Sequence, residues 1–255
     1  MTKRVAVVTG GLTGIGFASA KALLDAGHEV AVGSRRGEDD SMAGHARDVL
    51  GGKALIGKLN VTSVSSITSF LDHTNNRFGV PTLLVNAHGI FHEAQLGNHS
   101  DQAWFDQIDI NLNGVFRMIR AIFPGMIAKN HGRIVNISST AAHVGAAGYA
   151  AYCASKAGVN GLSKAVAVEG APHNITCVSI SPTFIETPMM ENAVKRIGKK
   201  TGKSASEIKE QLKLTNPQDR LVQPEEVGAL AAFCCSDEAP ALTNEDIQIN
   251  AGAVW

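Results

Sequence analysis

The amino-acid sequence predicts an α/β fold, with one doubly wound parallel sheet of about seven strands and helices on both faces. Short β-branched and apolar runs alternate with longer helical stretches along the whole chain. The strand-like runs are apolar throughout, as in strands that are buried on both faces. The 255 residues, 44% of them apolar, can bury one large core, and no linker, repeat or low-complexity tract divides them. Residues 1–255 are therefore expected to form a single Rossmann-type domain.

The first half of the chain alternates regularly between strands and helices. The run RVAVVTG at 4–10 is a predicted strand, and the helix after it, at 16–27, ends at Gly27, a residue type that favours helix C-termini. The β-branched run at 28–34 predicts the second strand. The remaining elements of this half are a weak, glycine-bearing helix at 38–50, a strand at 53–61, a helix at 63–78 and an apolar strand at 81–87.

The second half continues this alternation with longer helices, which are expected to cover the sheet on both faces. A polar, lysine-rich region at 188–215 interrupts the rhythm before the last helix and strand. The predicted elements are a helix at 101–129, a strand at 132–138, a helix at 149–171, a strand at 174–182, a helix at 224–236 and a strand at 245–250.

Composition excludes several classes of protein. The 23 Lys and Arg residues balance 23 Asp and Glu residues, so nothing favours nucleic acid or a membrane surface as a partner. No apolar stretch approaches the ~18 residues of a membrane helix, and glycines end the N-terminal apolar run too early for a signal peptide. The four cysteines have neither a zinc-binding spacing nor the density of a disulfide scaffold. We therefore expect a reduced, cytoplasmic protein without a metal ion.

A glycine-rich loop, TGGLTGIG, lies between the first predicted strand and the first helix. At this turn of an α/β sheet, backbone N–H groups and the positive end of the helix can bind the pyrophosphate of a dinucleotide. Gly10, Gly14 and Gly16 would leave room for the phosphates. No Lys-Ser/Thr pair follows, which excludes a Walker loop. A tight turn without a ligand is the alternative, but the position between strand and helix favours a dinucleotide site.

The end of the second strand predicts which dinucleotide is bound. An acidic residue there would bind the ribose 2′-hydroxyl of NAD, whereas an arginine suits the 2′-phosphate of NADP. The sequence has Ser34 at this position, followed by Arg35 and Arg36. A hydroxyl and a guanidinium bind a phosphate, and a carboxylate would repel it. NADP(H) is therefore the preferred cofactor, with NAD(H) possible.

The only two tyrosines of the chain, Tyr149 and Tyr152, stand just before Lys156 in AAGYAAYCASK. Tyr152 and Lys156 are four residues apart, so on a helix they share a face about 6 Å apart along the axis. Tyr149 is seven residues from the lysine and too distant for the same interaction. A nearby ammonium stabilises a phenolate, so we expect Lys156 to lower the pKa of Tyr152 from ~10 and make it an acid and base.

These motifs resemble the short-chain dehydrogenase/reductase family, and the resemblance extends over essentially the whole chain. YCASK matches its Tyr-x-x-x-Lys, and TGGLTGIG matches its Thr-Gly-x-x-x-Gly-x-Gly loop. The family's catalytic serine and asparagine correspond to Ser139, thirteen residues before Tyr152, and to Asn111 in INLNGVF. The resemblance implies that Tyr152 transfers the proton, Ser139 binds the substrate oxygen, Lys156 holds the nicotinamide ribose and Asn111 anchors a water.

The resemblance also implies which residues bind the cofactor. The chain departs from the family at Asn86-Ala87-His88-Gly89, where Asn-Asn-Ala-Gly is usual, and His88 could lie against the cofactor. It departs again at Pro182-Thr183, where Pro-Gly is usual. The implied cofactor residues are Gly10, Leu12, Thr13, Gly14, Ile15, Gly16, Ser34, Arg35, Arg36, Asn60, Val61, Asn86, Ala87, Gly89, Tyr152, Lys156, Pro182, Ile185 and Thr187.

The family resemblance implies a ketone or secondary alcohol as the substrate. The stretches NAHGIFHEA and TCVSISPTFIETP resemble the 3-oxoacyl reductase and 3-hydroxybutyrate dehydrogenase branches of the family. His92, His143 and Tyr149 are candidate substrate residues beside the pocket. Region 188–215, the candidate lid, carries seven cations against three glutamates. It is either an electrostatic funnel for an anionic substrate or a solvated helical surface.

Two other functions remain open at this point: an NAD-dependent hydroxyacid or secondary-alcohol dehydrogenase, and a nucleotide-sensing relative without catalysis. The intact set of four catalytic residues favours an enzyme, and Ser34 with Arg35 favours NADP(H). The family resemblance further implies a homo-oligomer, a tetramer.

Overall fold

The computed structural model describes residues 2–37 and 41–253. Residues 38–40, with which the second predicted helix begins, and the three terminal residues 1, 254 and 255 of the predicted domain lie outside this description. Seven strands and nine α-helices occur in the described residues: β1 (Val5–Thr9), α1 (Gly14–Asp25), β2 (Glu29–Ser34), α2 (Ser41–Leu50), β3 (Ala54–Lys58), α3 (Val64–Phe78), β4 (Leu83–Asn86), α4 (Asp101–Ile108), α5 (Gly114–Lys129), β5 (Gly132–Ile137), α6 (Ala150–Gly170), β6 (Ile175–Pro182), α7 (Pro188–Thr201), α8 (Ala205–Lys213), α9 (Pro224–Cys234) and β7 (Asp246–Ile249).

All seven strands form one parallel sheet in the order β3-β2-β1-β4-β5-β6-β7. This confirms the predicted doubly wound α/β fold. The chain adds strands in one direction up to β3 and then crosses to β4, on the other side of β1. At such a switch point a crevice opens beyond the carboxyl ends of the strands. The ligand site of the fold is therefore expected beside β1 and β4.

The sheet separates two apolar layers. One face packs β-strand residues such as Val8 against α1 and α9, where Leu23 and Val227 are fully buried. The other face packs Val7 and its neighbours against α3, α5 and α6, where Met118 is fully buried. Burial on both faces explains why the strands read as continuous apolar runs in the sequence. None of the helices within the described residues combines the length and apolarity needed to cross a bilayer.

A row of polar side chains crosses the sheet: it lies near the carboxyl ends of β1, β4 and β5 and continues through the middle of β6 to the start of β7. Thr9, Asn86, Asn136, Ser179 and Asp246 are successive register partners from β1 to β7. Asn86 Nδ2 donates to Asn136 Oδ1 at 2.9 Å, and Ser179 Oγ donates to Asp246 Oδ1 at 2.6 Å. Because buried polar groups are costly unless paired, these bonds help to hold β4 against β5 and β6 against β7.

The predicted helix at 101–129 is interrupted. It consists of α4 and α5 joined by a π-helical turn, Asp109–Asn113. The turn inserts extra backbone into the helix and holds Asn111 fully buried inside the protein. Such π turns are frequent at functional sites, and the apolar periodicity of the sequence does not reveal them.

Candidate active site

The glycine-rich loop between β1 and α1 is compact enough to exclude side chains. Gly10 has a φ of +65°, and a Cβ at Gly16 would lie 2.4 Å from the Gly10 carbonyl oxygen. Thr13 occupies the N-cap of α1, and its side chain caps none of the first-turn N–H groups. These N–H groups, at the positive end of the helix, are therefore available to a phosphate.

A cavity of about 530 Å³ lies at this loop, beyond the ends of β1, β2 and β4. His88 lines it, as the sequence allowed, and so do thirteen of the implied cofactor residues: Gly10, Leu12, Thr13, Gly14, Ile15, Gly16, Ser34, Arg35, Arg36, Val61, Ala87, Gly89 and Thr187. Six other lining residues were not anticipated: Gly33, Leu59, Ile90, Ile110, Pro188 and Met189. These six contribute mainly apolar surface, for which no local sequence motif exists.

Six implied cofactor residues lie outside the lining of this cavity: Tyr152 and Lys156, described below, and four that have structural contacts. Asn60 Oδ1 accepts hydrogen bonds from the backbone and hydroxyl of Thr62. Asn86 belongs to the polar row of the sheet. Pro182 is the last residue of β6, and the buried Ile185 forms an isolated bridge with Val222. Cofactor binding stays a prediction for these four residues, as it does for the thirteen that line the cavity.

The end of β2 presents polar and cationic groups to the cavity. Ser34 is the last strand residue, and its Oγ accepts a hydrogen bond from the Arg36 N–H at 3.4 Å. The Arg35 side chain is exposed at the cavity edge. A guanidinium and a hydroxyl at this point match a ribose 2′-phosphate.

Tyr152 and Lys156 lie on one face of α6, as their spacing predicts. Lys156 Nζ is 5.7 Å from the centre of the Tyr152 ring. Lys156 is 5% exposed, and its ammonium donates a hydrogen bond to the Ile137 carbonyl at 2.8 Å. Ser139 follows the end of β5 in extended conformation, with its hydroxyl beside Tyr152. Three of the four catalytic candidates therefore converge at the end of β5.

The ionisation of this pair differs from the expectation. Burial raises the pKa of Tyr152 to about 12, although the Ser139 hydroxyl opposes the shift, and burial lowers the pKa of Lys156 to about 8. The expected lowering of the Tyr152 pKa by Lys156 is therefore wrong for the protein without cofactor. The low polarity of the site destabilises both charged forms, and the ammonium is bound to the Ile137 carbonyl.

Asn111 connects the loop after β4 to α6. Its amide accepts from the Ile90 N–H at 2.8 Å, donates to the Ile90 carbonyl at 2.9 Å and donates to Ser155 Oγ at 3.2 Å. A Cβ at Gly89 would lie 3.4 Å from Asn111 Oδ1 and 3.8 Å from Lys156 Nζ. Asn111 and Lys156 thus adjoin Gly89 at the inner end of the cavity, and the buried Asn111 side chain holds the loop there.

His88, at the first departure from the family pattern, is a neutral part of the cavity wall. Its Nδ1 lies 2.6 Å from Thr9 Oγ1, which also accepts a hydrogen bond from the Ala87 N–H. Burial, together with the nearby Lys156 charge, lowers the pKa of His88 to about 3. The ring therefore carries no charge at neutral pH and contributes shape and hydrogen bonding to the site.

The three candidate substrate residues have different surroundings. Tyr149 stands at the N-terminus of α6, and its ring packs edge-on against Phe91 with centroids 4.7 Å apart. His92 is exposed and packs against His99. The His143 ring has another polar partner, because its Nε2 lies 2.6 Å from Asp246 Oδ2, at the far end of the polar row. Substrate binding by Tyr149 and His92 stays a prediction, whereas the Asp246 contact argues against His143.

The candidate lid, residues 188–215, forms helices α7 and α8. Four of its seven cations are ion-paired: Arg196 and Lys200 with Glu93, Lys209 with Glu186, and Lys213 with Glu210. Lys195, Lys199 and Lys203 form no ion pair with any residue that the structure describes. Glu93 and Glu186 lie outside the lid, so much of its positive charge is neutralised by neighbouring carboxylates.

Comparison with known proteins identifies the family. The model of the short chain dehydrogenase family matches residues 4–198. The chain belongs to the short-chain dehydrogenase family. This confirms the resemblance drawn from the sequence, and the protein is an oxidoreductase of that family.

Several relatives match over nearly their whole length. The 3-oxoacyl-[acyl-carrier-protein] reductase FabG of Escherichia coli (strain K12) is 37% identical over 251 residues, which are 98% of this chain and 96% of that protein. The reductase of the same name from Vibrio cholerae is 35% identical over 250 residues, with the same coverage. A crystal structure of an actinorhodin polyketide ketoreductase variant with NADPH superimposes with a TM-score of 0.92 at 32% identity and covers 98% of this chain and 97% of that one.

Replacing Tyr152 by Phe is predicted to lower kcat by about 10²- to 10⁴-fold, the usual contribution of a general acid, because it removes the proton donor. The matched variant Tyr149→Phe, which removes the other hydroxyl near the site, should keep most of the activity. NADPH affinity, measured by fluorescence titration, should stay within about twofold in both. An inactive Tyr149→Phe beside an active Tyr152→Phe would reverse the assignment.

The rate of carbonyl reduction is predicted to fall above about pH 8, where Lys156 with its lowered pKa loses its proton. Below that pH both required forms are present, because the neutral Tyr152 persists up to its raised pKa of about 12. The measurement is kcat/KM from pH 6 to 10, which reports groups of the free enzyme. A rate that rises through pH 7–9 would show that phenolate formation, and not the ammonium, limits the reaction.

Proposed function

We propose that the protein is an NADPH-dependent reductase that converts the ketone of a 3-oxoacyl thioester to a secondary alcohol. The observation that carries this proposal is the grouping of Tyr152, Ser139 and Lys156, with Lys156 next to Gly89 of the dinucleotide cavity. Burial of the phenol, which raises its pKa, agrees with a proton donor. A neutral phenol is the form that donates a proton to a carbonyl oxygen. The full-length similarity to two 3-oxoacyl reductases and to a ketoreductase with NADPH supports the choice of substrate and cofactor.

The cavity fits a phosphorylated dinucleotide. The glycine-rich loop leaves no space for side chains between Gly10 and Gly16, and the free N–H groups at the start of α1 suit a pyrophosphate. Arg35 and Ser34 at the end of β2 would bind the 2′-phosphate of NADPH. Thr187 lines the same cavity and would lie near the nicotinamide. The bound NADPH supplies the hydride.

The side chains of this site would bind the substrate oxygen and transfer a proton to it. The Ser139 hydroxyl would bind the oxygen and orient the carbonyl, and Tyr152 would donate its proton as negative charge develops there. The Lys156 ammonium would stabilise the phenolate left behind, since a charge in such an enclosed site interacts strongly with its neighbours. Asn111 would keep the Ile90 loop and α6 in register and, by family resemblance, anchor a water in proton transfer.

A homo-oligomer, specifically a tetramer, is part of the proposal. Phe105 on α4, Phe116 on α5 and Val168 on α6 are large apolar side chains that remain exposed in the single chain. Exposed apolar surface of this kind favours association with another copy. Sedimentation equilibrium should give four times the chain mass, and a monomer at micromolar concentration would reject this part.

A cytoplasmic location is also part of the proposal. All four cysteines are free thiols, which favours a reducing compartment such as the cytoplasm.

The proposed activity predicts turnover of a neutral 3-oxoacyl thioester, such as the acetoacetyl thioester of N-acetylcysteamine, with NADPH. NADPH oxidation at 340 nm and analysis of the alcohol product would measure it. The control reaction runs 3-hydroxybutyrate with NAD⁺. If that oxidation is the only reaction observed, the protein is an NAD-dependent hydroxyacid dehydrogenase, and the proposal fails.

Arg35→Ala is expected to raise KM for NADPH by about 10- to 100-fold, because hydrogen bonds to a charged group contribute about 1.5–3 kcal/mol. KM for NADH, which lacks the 2′-phosphate, should change little. Lys129→Ala removes a cation at the far end of α5 and serves as the control. Equal use of NADPH and NADH by the natural protein, unchanged in Arg35→Ala, would contradict the assignment.

A further inference from the structure

Phe91, in the loop after β4, connects the tyrosine of the active site to the lid. Its ring packs edge-on against Tyr152 with centroids 5.1 Å apart, and against Tyr149 at 4.7 Å. The guanidinium of Arg196, on lid helix α7, lies over the same ring, with Cζ 5.1 Å from the centroid. A single aromatic side chain therefore touches both the proton donor and the lid.

Glu93, two residues after Phe91, binds the same lid helix by two ion pairs. Its Oε2 accepts a hydrogen bond from Arg196 Nε at 3.0 Å, and its Oε1 accepts one from Lys200 Nζ at 2.9 Å. The two cations are four residues apart on α7, so they share one face and a single carboxylate can bind both. The Lys200 hydrogen bond holds the pKa of Glu93 below its usual range. The carboxylate is therefore charged at neutral pH.

The loop that carries Glu93 is itself fixed to the start of α6. The Ala94 N–H donates to the Gly148 carbonyl at 3.0 Å. Gly148 has a φ of +83°, and a Cβ there would lie 3.1 Å from Glu93 Cγ. The Glu93 side chain is 18% exposed, which reduces the screening that makes fully exposed ion pairs weak. The ion pairs thus join the lid to the segment from which the tyrosine helix begins.

We propose that Glu93 and Arg196 form a latch that holds α7 against Phe91 and, through this ring, positions Tyr152 and excludes water from its hydroxyl during carbonyl reduction. The proposal rests on the role of Tyr152 in the proposed function, but not on the identity of the carbonyl substrate. Glu93 and Arg196 are positioning residues, since neither contacts the reacting atoms. Lid closure that excludes water is a general means of strengthening the electrostatics of a site.

The test compares Glu93→Gln, Arg196→Gln and their double variant with Arg196→Lys. Lys199→Gln is the matched control, because it removes a cation from the same helix that forms no ion pair within the described part of the chain. All are assayed with a neutral ketone or thioester at saturating NADPH. Changes of salt or of lid charge then have little effect on the binding of substrate or cofactor, and a change in rate reports on the lid.

The latch predicts that Glu93→Gln and Arg196→Gln each lower kcat/KM for the carbonyl substrate by about tenfold. The double variant should lose much less than the roughly hundredfold product of these two effects, because each single variant already lacks the Glu93–Arg196 ion pair. Arg196→Lys should retain more activity than Arg196→Gln, and KM for NADPH should stay within about twofold in every variant. Added KCl should lower kcat/KM of the natural protein, and much less that of Glu93→Gln. Losses that add in the double variant, or that Lys199→Gln shares, would overturn the latch.

Hydrogen exchange provides a readout that needs no substrate. Amides of α7 should exchange faster in Glu93→Gln and Arg196→Gln than in the natural protein, and at the natural rate in Lys199→Gln. Unchanged exchange in both latch variants would overturn the proposal even if no ketone is ever reduced. Faster exchange with unchanged kcat/KM would show a lid contact without a positioning role, which also overturns it. Failure of the natural protein to reduce any carbonyl would reject the proposed function instead.

Discussion

The proposed chemistry of this protein depends on the burial of a single lysine. The Lys156 ammonium is enclosed in the protein and donates to one backbone carbonyl, that of Ile137. Its pKa falls to about 8, and the same enclosure raises the pKa of Tyr152 to about 12. Because burial disfavours both charged forms, an ammonium and a neutral phenol coexist at neutral pH. That combination suits proton donation, and hence reduction, better than proton removal.

The sheet places these two groups. β5 ends at Ile137, and the carbonyl oxygen of Ile137 accepts the hydrogen bond from Lys156. Ser139 follows two residues later. The Ser138 N–H donates a hydrogen bond to the Ile180 carbonyl of β6 at 2.7 Å, as in the sheet before it. The Ser138 hydroxyl donates to the Lys156 carbonyl at 3.2 Å. The polar row lies at this edge in β1, β4 and β5. The glycine-rich loop lies at the same edge of the sheet. The sheet itself therefore places the dinucleotide cavity next to the proposed proton donor.

The sequence predicts well what depends on local pattern. The strands, and the helices outside region 188–215, follow from the alternation of apolar and helical stretches. The Tyr152–Lys156 contact follows from helical spacing. The structure departs from expectation where distant residues meet. The partner of His143 is Asp246, 103 residues away, and Arg196 finds Glu93 at the same separation. Such pairs leave no periodic signal in a single chain. The π-helical turn at Asn111 is local, but it leaves the apolar pattern of the helix intact.

The ionisation of Tyr152 could not be derived from spacing, because desolvation depends on every group that encloses the phenol, including Phe91. The chain has only two tyrosines, which makes this ionisation directly measurable. In Tyr149→Phe, phenolate absorbance near 295 nm reports Tyr152 alone. The account predicts no phenolate in the cofactor-free protein below about pH 10, since burial holds the pKa well above the ~10 of a free tyrosine. Phenolate that appears between pH 7 and 9 in the folded, cofactor-free protein would contradict it.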